Sequence, residues 1–223
     1  MFITLDGVDG SGKSSIARAL HDYMETHHPE TVTRLTREPG GVGTHIGEQL
    51  RNIVLDTHGL LPETQLFLFT ASRLEHCHKF ILPALLAGHT VICDRFSAST
   101  FVYQFLDSKI SLYLYNNSTA AVRELFTRYG LRPYPDLQLI LDVDYDTAHS
   151  RIASRLGQKP NAFDVMSKAT FDLRRAGYLA YASSALNCNS VVIDSAHPPQ
   201  SVLQACITVI EEHLGKHNEN QLR

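Results

Sequence analysis

The sequence predicts an α/β fold: a five-stranded parallel sheet flanked by helices on both faces. Short β-branched apolar runs alternate with longer stretches of helical period, the pattern of strands joined by right-handed crossovers. A glycine-rich turn links the first run to the first helical stretch. The chain has 223 residues, 43% of them apolar, which is enough for one sizeable core and unlike a disordered composition.

The first strand is "FITL" (2–5), and a helix follows at 13–27. Between them lies "GVDGSGKS" (7–14), which fits Gly7-x4-Gly12-Lys13-Ser14. Gly7, Gly10 and Gly12 allow backbone angles barred to other residues, so successive N–H groups turn inward around an anion. The helix behind adds its positive N-terminal end. Lys13 is placed to reach the outer phosphates of a nucleotide, and the Ser14 hydroxyl to hold Mg²⁺. The loop, with Asp9, Ser11 and Ser15, is therefore predicted to bind ATP in a P-loop NTPase fold. The loop by itself does not separate a kinase from a GTPase or an ATP-driven motor. No NKxD-type guanine motif is present.

The second strand is "TVTRLT" (31–36), followed by helices at 44–55 and 63–87. The third is "TVICD" (90–94), with helices at about 97–106 and at 112–129; the stretch 107–117 resists assignment. The fourth and fifth strands, "LQLILDV" (137–143) and "SVVID" (190–194), are nearly continuous apolar runs, as in strands covered on both faces. Helices are expected at 145–156, 164–186 and 199–214. Together these make one domain, 1–214, with a mobile lid at about 151–164 around "LGQKPNA" and a polar tail at 215–223.

The formal charge of −3 argues against a general nucleic-acid or anionic-membrane binder. Cys77, Cys93, Cys188 and Cys206 lack CxxC spacing and read as reduced thiols, with Cys93 in a core strand. His27, His28, His76 and His78 read as solvated surface residues. The chain starts inside a strand and no apolar run reaches spanning length, so a soluble, cytoplasmic protein is expected.

Cations recur at regular stations: Arg37 in "TREPGG" (36–41), then Arg51, Arg73 in "FTASR" (69–73) and Arg95 in "CDRFSASTFVYQ" (93–104). Each alone reads as a surface residue; Arg37, Arg73 and Arg95 together suggest clamps on a second phosphate group. Asp94 closes an apolar strand, at the edge where open parallel sheets bind ligands. It suits holding Mg²⁺ through that ion's water shell, or fixing Arg95.

In order and spacing, "DGVDGSGKSS", "TREPGGVGTHIGEQLR", "LFLFTASRLEH", "ILPALLAGHTVICDRFSASTFVYQ" and "PDLQLILDV" resemble the thymidylate kinase family over about residues 1 to 185. The resemblance implies Mg²⁺-dependent transfer from ATP to dTMP by a cytoplasmic homodimer. Carried over by position, it implies that Asp9 accepts the 3′-hydroxyl of dTMP and that Arg37 and Arg95 hold its 5′-phosphate. Phe69 would stack on the base, with a core position as the alternative. Arg73 and Thr100 would bond the base edge, with Ser99 in the same acceptor set. Tyr103, beside Gln104, would crowd the 2′ position. Lys13, Arg95 and Asp9 would form the catalytic centre. One style of the family has an arginine inside the loop; Gly10 and Ser11 stand here instead, so Arg151 and Arg155 of the lid would supply it.

Two stretches depart from the pattern. After Gln104 the family usually continues with glycines, and here the chain reads "FLDSKISLYLYNN". In the lid, Asp164-Val165-Met166-Ser167 stands in place of Asp-Arg-x-Glu, leaving Lys159 as a further cation. A kinase for another pyrimidine nucleotide or a deoxynucleoside, and an inactive nucleotide-binding module, are the rival readings.

Overall fold

The computed structural model describes residues 1–41, 43–154, 166–184 and 189–221, with the side chains of 216–221 left aside. The strands are β1 Phe2–Asp6, β2 Thr33–Arg37, β3 Thr90–Asp94, β4 Leu137–Asp142 and β5 Ser190–Asp194. They form one parallel sheet in the order β2-β3-β1-β4-β5. The order reverses at β1, so the loop after β1 opens at the crevice between the two halves, at the carboxyl edge. Every strand ends there on a charged residue: Asp6, Arg37, Asp94, Asp142 and Asp194.

Alternation along the strands feeds two apolar layers. Ile3, Leu5, Ile92, Leu137 and Leu139 pack under helices α1 (Lys13–His27) and α9 (Pro199–Gln221). Phe2, Val91 and Cys93 face the other way, against α3 (Pro62–His76), a π-helical turn at Cys77–Ile81, α4 (Leu82–Leu86) and α6 (Leu112–Arg128). On that same side Ile140 and Val143 meet Val102 and α8 (Lys168–Ala182). The remaining helices are α2 (His45–Asp56), α5 (Ser97–Thr100) and α7 (Tyr145–Ala153). Among the described residues no helix is long and apolar enough to cross a membrane.

Four expectations need correcting. The single helix predicted over 63–87 is broken by the wide turn Cys77–Ile81, ahead of Pro83, which has no N–H to donate to a regular ladder. Strand β5 is not covered on both faces: it lies at the sheet edge, and Val192 is 44% exposed. An apolar run cannot tell a central strand from an edge strand, because position depends on what pairs with it. The last helix continues through Gln221, so the tail expected from 215 is helical to that point. His76 is fully buried, not solvated. Its neighbours in sequence are polar, but it sits on the inward face of α3 and pairs with Thr36 and Glu38.

The stretch that resisted assignment is also placed. A π-helical segment runs Phe101–Asp107, Lys109 turns at φ 55, and the Ser111 side chain caps α6 by accepting from Leu114 N–H. Cys77, Cys93 and Cys206 are free and buried; Cys188 and most of the expected lid lie outside the described residues.

Candidate active site

The loop after β1 is shaped by close packing as much as by its own residues. Gly10 has φ 84, and a Cβ there would sit 2.5 Å from the Ala148 carbonyl oxygen on α7. In this chain the close approach of Ala148 and the left-handed backbone leave no room for a side chain at residue 10. Gly12 caps α1 in the left-handed conformation, and its carbonyl accepts from the Ser15 and Ile16 amides. Lys13 is buried; its Nζ donates to the Val8 carbonyl at 2.7 Å and to Ser11 Oγ at 3.2 Å. Burial, with Arg95 nearby, lowers its pKa to about 8 against the pull of Asp9 and Asp94.

A cavity of about 360 Å³ opens from this loop towards β2 and β3. The structure brings Asp9, Gly10, Gly12, Lys13, Ser14 and Ser15 to one wall of it. Arg37, Phe69 and Arg73 reach it from β2 and α3. Asp94, Arg95, Ser99, Thr100, Tyr103 and Gln104 line it from the chain after β3. Gly7 is set back, where its carbonyl accepts from Arg95 Nη1 at 3.0 Å.

Arg95 adopts φ 74, a conformation rare outside glycine, and this turns its side chain back over the loop. The guanidinium pairs with Asp9 and also reaches Ser99 and Tyr178. Burial works against its charge, and Asp9 outweighs burial. For Asp9, burial likewise opposes ionisation, but Arg95 and Lys13 hold its carboxyl below the usual range. Asp6 lies beneath, fully buried, accepting from the Phe96 and Ser99 amides and the Ser99 hydroxyl. Burial raises its pKa despite those bonds.

Arg73 is buried and held by one donor each to Glu38 (2.6 Å), Thr100 Oγ1 (2.8 Å) and the Phe96 carbonyl (3.1 Å). Burial opposes the Glu38 charge, and Arg73 with His76 keeps that carboxyl ionised below its ordinary range. Phe69 is half-buried against the cavity, while Leu66 on the same helix fills the core position. Arg37 is exposed and reaches Glu48 at 3.4 Å.

The Ser14 hydroxyl donates to Asp94 Oδ2, and Asp94 Oδ1 is buried with no hydrogen-bond partner among the described residues. No cluster of three or more acidic, histidine or cysteine side chains suited to a metal occurs among those residues. A divalent ion here would draw on Ser14 and Asp94, with waters and phosphate oxygens completing its shell. That donor set fits Mg²⁺, which keeps several waters and binds through few carboxylates.

A second cavity of about 280 Å³ lies on the other side of the loop. Gly10, Ser11, Gly12 and Ser15 form one wall, and Arg151, Ser195 and His197 form the other. Arg151 therefore does not join Lys13 and Arg95, as the lid reading expected. Its guanidinium bridges the Gly10 carbonyl at 3.5 Å and the His197 carbonyl at 3.2 Å. Its place on α7 sets this, since α7 packs against Gly10 from the β4 side. Arg155 and Lys159 lie outside the described residues.

Several side chains at the site were not singled out from the sequence. Glu38 directly follows the assigned cation Arg37 in "TREPGG", and a carboxylate beside that arginine was the available signal. Ser195 and His197 follow β5 at the carboxyl edge, where ligands collect. Tyr178 and Arg174 come from α8, far along the chain, and no local signal marks them.

A profile of the family described as "Thymidylate kinase" matches residues 5–206. The chain is 36% identical over 225 residues to the thymidylate kinase of Desulfovibrio desulfuricans, covering 96% of each. It is 36% identical over 213 residues to that of Wolbachia pipientis, covering 95% of this chain and 96% of the relative. The crystal structure of thymidylate kinase from Ehrlichia chaffeensis superposes with a TM-score of 0.71 at 30% identity, covering 94% of this chain and 98% of the other. With profile, relatives and fold agreeing over nearly its whole length, this chain belongs to the thymidylate kinase family.

Proposed function

We propose that this chain transfers the γ-phosphoryl group of ATP to the 5′-phosphate of dTMP, giving dTDP and ADP. The observation that carries the reading is one cavity joining the phosphate loop to Phe69, Arg73 and Tyr103. A flat apolar ring suits a pyrimidine face. The N–H groups of Arg73 not held by Glu38, Thr100 and Phe96 serve its carbonyl edge. Asp9 and Tyr103 would face the sugar, and Arg37 and Arg95 the 5′-phosphate. ATP would span the loop, with its base end in the second cavity beside Arg151 and His197.

An acceptor oxygen bonds to the γ-phosphorus as the bond to the β–γ bridging oxygen breaks, and that electron pair stays on ADP. The acceptor phosphate, with a second pKa of about 6, is mostly a dianion at neutral pH, so no general base is needed. Catalysis reduces to alignment and to meeting the charge on the moving group. Lys13 and Arg95 do this from one side of the loop. Ser14 and Asp94 would hold Mg²⁺, which when bound supplies positive charge to the phosphate oxygens.

Residues 1–214 are read as one catalytic unit. A homodimer belongs to the same reading. Exposed apolar side chains stand on three helices packed in series: Ile46 and Ile53 on α2, Phe67 on α3, Leu112 and Tyr113 on α6. Burial against a second copy would remove them from water; light scattering should return twice the chain mass. The free, buried thiols suit a reducing, cytoplasmic compartment.

The test is an ADP-release assay with dTMP, dUMP, UMP, dCMP and thymidine, with and without EDTA. The highest kcat/KM is expected for dTMP, with turnover lost on chelation. A tenfold faster rival acceptor would reassign the base site, and no turnover with any acceptor would leave a binding module.

A further inference from the structure

Arg174 and Asp107 line neither cavity, yet both bear on Tyr103. We propose that this ion pair is a positioning device that sets sugar selectivity, by fixing the Tyr103 ring where a 2′-hydroxyl would have to fit. The inference rests on the reading of Tyr103 as the residue beside C2′.

Arg174 projects from α8 and is buried. Its Nε and Nη2 both donate to Asp107 Oδ2, at 2.8 and 2.6 Å. The guanidinium carbon then lies 4.4 Å from the centre of the Tyr103 ring, closer than that of Arg95 at 5.5 Å. A planar cation at this distance holds an aromatic face by charge and by contact. The far end of the ring is held too, since the Tyr103 hydroxyl donates to Asp9 Oδ2 at 2.9 Å. Pinned at face and tip, the ring cannot swing aside for an added oxygen.

The backbone reinforces this. Tyr103 and Asp107 belong to one π-helical segment, so Arg174 grips its anchor and its target together. Ser108 closes the segment, with its amide and hydroxyl donating to the Tyr103 carbonyl at 3.1 and 2.8 Å. Helix α8 packs close against the segment at Gly177, where a Cβ would lie 2.7 Å from Leu106 Cδ1. This is the stretch where the family usually continues with glycines and this chain has Phe105, Leu106 and Asp107. The departure introduces a carboxylate, and the structure pairs it with an arginine from another helix. Arg174 is the buried partner, its side chain 9% exposed against 23% for Asp107, so removing Asp107 strips a buried cation of its hydrogen-bonded carboxylate.

The experiment compares dTMP with 5-methyluridine 5′-monophosphate, which differ only at the 2′ position, by calorimetric titration. It does not depend on turnover. The proteins are the native chain, Arg174→Met, Asp107→Ala and, as a control on Tyr103, Tyr103→Ala. Arg174→Met and Asp107→Ala should each reduce the deoxy-to-ribo affinity ratio at least tenfold, towards the value in Tyr103→Ala. The dTMP Kd should change less than threefold. Should either variant fail to fold, Asp107→Asn keeps the shape and should still lower the ratio about threefold. If Tyr103→Ala loses the discrimination while the Arg174 and Asp107 variants keep it, the proposal falls and the Tyr103 reading stands. Equal weakening for both sugars would reduce the pair to a structural brace. Unchanged discrimination in Tyr103→Ala would overturn both.

Discussion

At Lys13 the fold buries an ammonium group that donates to a carbonyl and a hydroxyl, with Asp9 and Asp94 too weak a pull to offset burial. Its pKa falls from 10.5 to about 8, so the folded protein binds fewer protons here than the unfolded chain between those values. Stability therefore rises with pH across that window, and the burial penalty is fully present below it. At about 1.36 kcal/mol per pKa unit the ceiling is roughly 3 kcal/mol, reduced by about 1 kcal/mol for the hydrogen bonds a substitution loses. Lys13→Met should thus be about 1–2 kcal/mol more stable than the native, ligand-free chain at pH 7, and the gain should shrink by pH 10. Turnover should fall by about two orders of magnitude or more, because the phosphates lose the ammonium charge that meets them. Thermal melts at the two pH values, with an ADP-release assay, check both. A variant less stable than native at pH 7 would contradict the account. A similar logic governs Arg95, whose left-handed backbone is kept because Asp9, Ser99 and Tyr178 hold its side chain.

Helix α3 shows how one element serves two masters. Leu66 is fully buried while Phe69, almost one turn on, faces the cavity half-exposed. Both are large and apolar, and in "LFLF" the run alone does not say which is which. Truncating Leu66 to Ala should cost about 2–5 kcal/mol of stability, with dTMP affinity preserved in whatever remains folded. Truncating Phe69 should leave stability nearly unchanged and weaken dTMP by about 1–3 kcal/mol, the loss of one base stack. Urea melts and dTMP titrations separate the two outcomes. A Phe69→Ala chain that unfolds like Leu66→Ala would return Phe69 to the core. The same helix carries Arg73 and, on its inner face, His76, whose ring abuts Gly41 at φ 87. The glycine lets "TREPGG" pass close enough for His76 to reach Glu38, and Glu38 in turn holds Arg73.

Across the whole molecule, the reversal of strand order at β1 leaves the phosphate loop with a cavity on each side. Two polyanions can then approach one loop from opposite directions. Arg151 belongs to the β4–β5 side, bridging Gly10 and His197. Arg151→Ala should raise the KM for ATP about tenfold, the loss of one charged hydrogen bond. The Kd for dTMP should stay unchanged and kcat should move less than tenfold. Steady-state kinetics with each substrate varied in turn make the check. A hundredfold loss of kcat at unchanged ATP KM would restore the role first expected of a lid arginine.

The sequence by itself determined the sheet and the phosphate loop, and it named most of the residues that line the larger cavity. Those signals are local: alternation within "FITL" and "TVICD", glycines in "GVDGSGKS", and cations at the ends of strands. Where chemistry needs neighbours close in sequence, as for Lys13 with Ser14 or Arg95 with Ser99 and Thr100, spacing alone is informative. What tertiary structure decided involves partners far apart in the chain. Asp94 meets Ser14 across 80 residues, and Arg174 meets Asp107 across 67. Periodicity cannot rank "SVVID" as an edge strand, because burial of an edge depends on what pairs with it. It cannot bury His76, because the carboxylate that receives it lies on another strand's loop. Nor can it aim Arg151, since residues four apart share a helix face but the packing of that helix decides which cavity the face overlooks.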